Sequence, residues 1–171
     1  RMLLLNTPHN PTGVVFTRPE LQALAEFACE HDLLVLADEA YEHLWFDDNV
    51  HIPIATLPGM WERTVTIGSG GKSFSFTGWK VGWATGPEDL IAAVRVVRQH
   101  LSYVSGGPFQ PAIAAGLRLP DSYFAAFRAD LAAKRDRLCS ALADLGFREI
   151  APQGTYFATT DVRPLGFSDG E

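Results

Sequence analysis

The chain has 171 residues, 47% of them hydrophobic and 20% charged, with a net charge of −6 at pH 7. That length buries one good core, and the composition is ordinary for a soluble α/β protein. The acidic balance argues against a nucleic-acid surface, which needs a basic face, and no apolar run approaches a membrane-spanning length, so neither a nucleic acid nor a membrane is an expected partner.

The chain opens at Arg1 inside an apolar run, Met2-Leu3-Leu4-Leu5, and reads as an internal piece of a longer protein. The run predicts a strand, and Asn6-Thr7-Pro8-His9-Asn10-Pro11-Thr12-Gly13 ends it, since two prolines and a glycine fix a rigid loop. Thr17 and Glu20 stand at capping-box spacing with Pro19 in the first turn. Leu21, Leu24, Phe27 and Ala28 then recur at helical spacing up to His31-Asp32. A second strand follows over Leu33–Ala37, which predicts a βαβ unit with a parallel pair and a right-handed crossover. This strand runs into Asp38, Glu39 and Tyr41, and ligands of open α/β sheets sit outside the carboxyl ends of strands. Glu39, Glu42 and His43 could be drawn as a metal site but read better as solvated or capping groups, so no metal is expected. Several prolines between Trp45 and Trp61 predict loop with one turn of helix.

Thr64-Val65-Thr66-Ile67 reads as a third, buried strand. It leads into the most informative segment, Gly68 to Trp83, which holds two of the three lysines, Lys72 and Lys80. A lysine ending a strand among Gly and Ser can lose solvent and act as an amine nucleophile toward a carbonyl. The second lysine and the hydroxyls of Ser69 and Ser73 suit a phosphate. A nucleotide-binding P-loop fits less well, because Thr66 stands where its first glycine belongs and Gly78 and Gly82 interrupt the helix it should open. Val81–Thr85 predicts another strand, and Gly86-Pro87-Glu88-Asp89 a helix start with acids at the positive end of the dipole. Leu90, Val94, Val97 and Leu101 supply that helix's apolar stripe. After the break at Ser105-Gly106-Gly107-Pro108 come a short helix over 111–117 and a long one over 121–145, stopped by Gly146. The long helix has Phe124, Phe127, Leu131, Leu138 and Leu142 on one face, and its basic run Arg128, Lys134, Arg135 and Arg137 reads as solvated. Thr155–Thr160 predicts a final strand. Cys29 and Cys139 lie in helical patterns without metal-ligand spacing, as expected of buried free thiols in a reducing cytoplasm.

The blocks Asn6–Gly13, Leu33–Tyr41 and Gly68–Trp83, with their spacing, resemble the class I/II (fold type I) pyridoxal-phosphate-dependent aminotransferases, and the resemblance covers nearly the whole chain. Leu57–Thr64 and Pro152–Phe157 are similar to the kynurenine aminotransferase and cysteine-conjugate β-lyase branch. Asp161–Phe167 is similar instead to bacterial relatives assigned as N-succinyldiaminopimelate aminotransferases. The resemblance implies an α/β fold, a mostly parallel sheet with flanking helices. Residues 1–120 would be part of the large cofactor domain, and 121–171 the interdomain helix and the start of a small α+β domain. It implies that Lys72 forms a Schiff base with pyridoxal 5'-phosphate and that Ser69 and Lys80 hold the phosphate. Asp38 would pair with the pyridine nitrogen, and Asn10 and Tyr41 would bond the phenolic oxygen, with Asn10 also reaching the substrate carboxylate. Lys80 stands where many relatives have arginine and brings charge without the bidentate fork.

The implied reaction is ping-pong transfer of an amino group between an L-amino acid and a 2-oxo acid, in a cytoplasmic homodimer. Ser105 to Gly107 fall where relatives approach the partner subunit's cofactor. Lys72, Asp38 and Tyr41 serve all pyridoxal reactions alike, so β-elimination from cysteine conjugates and a cofactor-sensing regulator remain open. In relatives, the ring-stacking aromatic precedes the stretch matched by Arg1, and the arginine gripping the substrate carboxylate follows the stretch matched by Glu171. The 171 residues alone are therefore expected to be inactive and to leave one face of a parallel sheet uncovered.

Overall fold

In the computed structural model, which describes residues 1–104 and 106–167, the first apolar run forms β1 (Met2–Asn6). Its side chains alternate between faces, as a strand requires. Leu5 is buried, whereas Met2 and Leu4 are 62% and 68% exposed. α1 (Arg18–Glu30) begins at the expected capping box, where the Glu20 carboxylate accepts hydrogen bonds from the Thr17 N–H and hydroxyl, both at 2.7 Å. Its buried stripe is Leu21, Ala25 and Ala28. β2 (Leu34–Asp38) pairs parallel to β1 and puts Asp38 beside Asn6, as the βαβ reading requires.

The core lies on one side of this pair. Leu5, Val35 and Ala37 pack with Leu21, Ala25 and Ala28 of α1, and with Ile54, Leu57 and Met60 from the segment after β2. That segment carries two short 3-10 turns, Ile54–Thr56 and Trp61–Arg63. The opposite face of the sheet shows Met2, Leu4 and Leu34 to solvent.

β3 (Thr64–Ser69) joins β2 in parallel with Ile67 opposite Asp38. α2 (Gly70–Ser73) is a single helical turn carrying Lys72. β4 (Gly82–Thr85) returns antiparallel, Gly82 opposite Ser69, and completes the order β1-β2-β3-β4. Its Trp83 lies against Gly68, where a Cβ would meet the indole Nε1 at 2.2 Å.

α3 (Glu88–Leu101) has its two acids in the first turn, as expected. Its apolar stripe is not buried: Val94, Val97 and Leu101 are 39%, 57% and 82% exposed. Helical spacing identifies a face that wants a partner without supplying one. α4 (Gln110–Gly116) and α5 (Asp121–Asp144) fall within about a residue of expectation. The basic run on α5 divides. Lys134 is solvated and pairs with Asp130 at 2.6 Å. Arg135 turns back instead, gripping Asp47 through both terminal nitrogens at 2.7 and 2.9 Å, and Arg128 covers the Trp45 ring at 4.0 Å.

β5 (Arg148–Ile150) and β6 (Thr159–Asp161) form a separate antiparallel pair. The expected strand over Thr155–Thr160 is thus realised only at its end. Thr155 takes φ 67° and gives its N–H to the Leu44 carbonyl at 3.0 Å, which turns the backbone out of strand geometry. Among the described residues no helix is long and apolar enough to cross a membrane.

Candidate active site

The parallel register sets Asn6, Asp38 and Ile67 side by side at the carboxyl ends of β1, β2 and β3. The loops that follow are tied to one another there. Asp38's carbonyl accepts hydrogen bonds from Asn6 Nδ2 at 3.0 Å and from the Thr7 N–H at 3.2 Å. Asn6 Oδ1 accepts from the Asn10 N–H at 3.0 Å, and the Glu39 N–H donates to Ile67's carbonyl at 2.9 Å. Asp38 is half-buried, and its Oδ1 accepts from the Ala40 N–H at 3.1 Å.

Lys72 reaches this edge from α2. Its ammonium donates to the Tyr156 hydroxyl, and Nζ lies 5.6 Å from the Tyr41 ring centroid and 5.1 Å from that of Tyr156. The two tyrosine rings meet edge to face at 5.3 Å. Tyr41 is 3% exposed, and its hydroxyl is buried without a hydrogen-bond partner. Burial pushes its phenol upward, and the neighbouring Tyr156 hydroxyl and the Asp38 charge push the same way. At Tyr156 burial also acts upward, but the hydrogen bond from Lys72, the proximity of Tyr41 and the lysine charge outweigh it, and the net shift is downward.

Lys72, Tyr41 and Asp38 are therefore gathered at the carboxyl ends of the strands, with Ser69 at the end of β3 and Asn10 on the loop after β1. Asn10 is exposed and Ser69 half-buried. Ser73, next to Lys72, is 1% exposed, and its hydroxyl has no partner. Lys80 caps the 3-10 turn Thr77–Trp79 in a left-handed conformation, φ 53°, with its side chain exposed. Ser105, the first residue of the expected subunit-facing loop, lies outside the described residues.

Two features escaped the sequence reading. Tyr156 arrives from 84 positions beyond Lys72, and no local pattern marks it as a site residue. Its segment is held against the Asn-Pro loop at Gly13, which has φ +71° and where a Cβ would stand 2.5 Å from Pro152 Cβ. Glu39 was expected among solvated groups, but it is 1% exposed and pairs with His51 Nε2 at 2.9 Å. The alternation that turns Asp38 to one side sends its neighbour to the other, a signal the strand pattern did contain. Beyond it, burial pushes the Glu42 carboxyl up, with the charge of Glu39 adding. His43 stacks on Phe124 at 3.9 Å; burial, then Arg128 and His51, push its imidazole down to about 4. Among the described residues no group of three or more His, Cys, Asp and Glu could hold a metal ion. Of the two thiols expected to be buried, Cys139 is buried, whereas Cys29 is exposed with Sγ 3.6 Å from the Gly59 carbonyl.

The model of the family "Aminotransferase class I and II" matches residues 1–169. A probable N-succinyldiaminopimelate aminotransferase, DapC, of Mycobacterium tuberculosis is 53% identical over 169 residues, 99% of this chain and 43% of that protein. Kynurenine–oxoglutarate transaminase 3 of Mus musculus is 46% identical over 173 residues, 97% of this chain and 38% of that protein. The solved structure of the Mycobacterium tuberculosis N-succinyldiaminopimelate aminotransferase matches with a TM-score of 0.95 at 53% identity, covering 99% of this chain and 44% of that one. An aromatic aminotransferase from Pyrococcus horikoshii matches at 0.89 and 33% identity, covering 98% and 45%. The chain thus spans less than half the length of the curated relatives it matches. It belongs to the class I and II aminotransferase family.

Proposed function

We propose that the protein is a pyridoxal-phosphate-dependent transaminase that moves an amino group between an L-amino acid and a 2-oxo acid. The observation that carries this is the placement of the Lys72 amine beside Tyr41, at the strand ends that also present Asp38. The residues fit the cofactor: the buried, unpartnered Tyr41 hydroxyl needs a polar group beside it, and a phenolic oxygen supplies one. Bound there, pyridoxal phosphate would carry the amino group and delocalise the charge left on a carbon that loses its proton.

The chain's own residues divide the remaining work. Lys72 would hold the cofactor and, when free of it, would act as general base and acid, taking a proton from the substrate carbon and returning it. Asp38 holds a proton on the pyridine nitrogen through a charge-assisted hydrogen bond. Tyr41 and Asn10 bind the phenolic oxygen, while Ser69 and Lys80 anchor the phosphate and so orient the ring. In this reading residues 1–120 belong to the cofactor domain, and 121–171 are the connecting helix and the start of a smaller one. The family resemblance suits a cytoplasmic homodimer.

Borohydride reduction of the intact protein with pyridoxal phosphate, followed by peptide mass mapping, tests the assignment. The label is expected on Lys72; label on Lys80 or Lys134 instead would overturn it. A donor screen with glutamate, kynurenine and N-succinyldiaminopimelate then reads the substrate class that the named relatives suggest.

A further inference from the structure

We propose that Tyr156 is the positioning residue for the catalytic amine: its hydroxyl and ring, with the ring of Tyr41, form a dock that holds Lys72 Nζ whenever the lysine is not attached to the cofactor. The inference rests on Lys72 being the cofactor lysine, and it adds a partner from the far end of the chain.

The amine is held on two sides. The Tyr156 oxygen accepts a hydrogen bond from Nζ, and Nζ lies within cation–π range of both tyrosine rings, 5.1 and 5.6 Å from their centroids. The rings brace each other edge to face, at 5.3 Å and 79°, and Tyr41 is further backed by Phe157 at 6.2 Å. The downward shift of the Tyr156 phenol, which outweighs the upward effect of burial, comes from the Lys72 hydrogen bond, with Tyr41 and the lysine charge adding.

The dock is built on a fixed frame. Val15's N–H donates to Gln153 Oε1 at 3.0 Å, and Phe46's N–H donates to the Gln153 carbonyl at 2.8 Å. Thr155, fully buried, donates its N–H to Leu44's carbonyl at 3.0 Å and accepts the Phe157 N–H on its hydroxyl at 3.3 Å. Arg135 holds the Pro152 carbonyl at 3.2 Å. The segment bearing Tyr156 is thus clamped to the loops after β1 and β2, the same loops that carry Asn10 and Tyr41. Such preorganisation matters because a small misplacement of a reacting group costs a large factor in rate.

The proton balance is simple. When the free amine takes the proton of the substrate carbon, that C–H bond breaks with its electron pair left on the carbon and one N–H bond forms; the resulting ammonium stays on the phenol oxygen and between the two rings, and Tyr156 itself neither gains nor loses a proton. A dock of this kind differs from a structural tyrosine because it changes the exposure of one particular amine.

The test uses competitive labelling of the intact protein without cofactor, with an amine-acylating reagent in trace amounts and peptide mapping of Lys72 against Lys80 and Lys134. In Tyr156→Phe the hydrogen bond is lost and the ring remains, and Lys72 is expected to label roughly ten- to hundredfold faster relative to the other two lysines, the worth of one hydrogen bond to a charged group. In Tyr156→Ala the increase should be larger. With cofactor, both variants should still be trapped on Lys72 by borohydride, while single-turnover amino transfer slows and KM stays near that of the parent. Unchanged Lys72 labelling in both variants would overturn the dock, whatever the trapping shows. Trapping on another lysine in the parent protein would overturn the proposed function, and the labelling ratio would still decide whether Tyr156 holds Lys72.

Discussion

Gly13→Ala probes the contact that brings the Tyr156 segment onto the site. At φ +71° an added Cβ would stand 2.5 Å from Pro152 Cβ, 2.8 Å from the Gly154 carbonyl oxygen and 3.0 Å from Pro152 Cα. These are backbone and ring atoms, so relief requires one loop to move away from the other. A left-handed conformation costs an alanine roughly 1–2 kcal/mol, and overpacking a tight contact adds about 1–3 kcal/mol. The expected loss is therefore roughly 2–5 kcal/mol, a large fraction of the roughly 5–15 kcal/mol that typically separates native from unfolded protein. Gly146 supplies the control, since it has φ +84° and nothing within 4 Å of an added Cβ. Gly146→Ala carries the conformational part alone, roughly 1–2 kcal/mol. Urea unfolding of the two variants with linear extrapolation gives both values on one scale. Gly13→Ala should lose more, and the excess should be accompanied by faster labelling of Lys72 as its dock shifts. Equal losses in the two variants would refute the reasoning, because they would show that the close approach carries no energy.

Asp38→Asn should leave the unfolding midpoint near that of the parent and cut single-turnover amino transfer severely; near-parental turnover would remove Asp38 as the pyridine partner. The His43 imidazole is held down to about 4 in the folded protein against an ordinary value of 6.5, so between those values the unfolded chain binds the extra proton. Stability is thus full above about pH 6.5 and falls as pH drops toward 4; His43→Gln should flatten that slope in urea titrations at pH 7 and 4.5. Expressed alone, residues 1–171 should self-associate and lack amino transfer, given the bare Met2, Leu4 and Leu34 on the sheet and Val97 and Leu101 on α3. Sedimentation of the purified segment checks this, and a monodisperse monomer would contradict it.

The strand ends were legible because each is a short apolar run broken by residues with a separate signature: prolines after β1, two acids after β2, glycines and a lysine after β3. Those signals are local, and they placed Asn10, Asp38 and Tyr41 at the strand ends where the structure has them, whereas Ser69 and Lys72, expected in a loop after Ile67, lie at the end of β3 and on the helical turn α2. Lys80 was legible as a residue of the same loop, but its left-handed backbone was not, since nothing in Gly78-Trp79-Lys80 demands it. What pattern cannot supply is a meeting between distant segments. Tyr156 and Lys72 come together only because Gly13 admits Pro152 and because Thr155 spends its N–H on Leu44, and those same contacts remove Thr155–Ala158 from the expected strand. Glu39 illustrates the opposite failure. Its burial was written in the alternation of β2, but its partner His51 lies in an irregular, proline-containing stretch where spacing carries no information.

The placement of Trp83 across Gly68 has an optical consequence. The chain contains four tryptophans, and their surroundings differ: Trp45 lies under the Arg128 guanidinium, Trp61 is 52% exposed, and Trp79 stacks on Phe109 at 4.4 Å. Trp83 alone is seated on the strand that ends in the lysine turn, against a glycine four residues before Lys72. A chromophore attached at Lys72 and absorbing where indole emits would drain the excited state of this residue by energy transfer. Tryptophan emission thus becomes a ruler from β4 to the lysine, able to follow occupancy in real time and in the absence of any substrate. Replacing Trp83 by Phe should remove this indole's share of that quenching while leaving the emission of the other three in place.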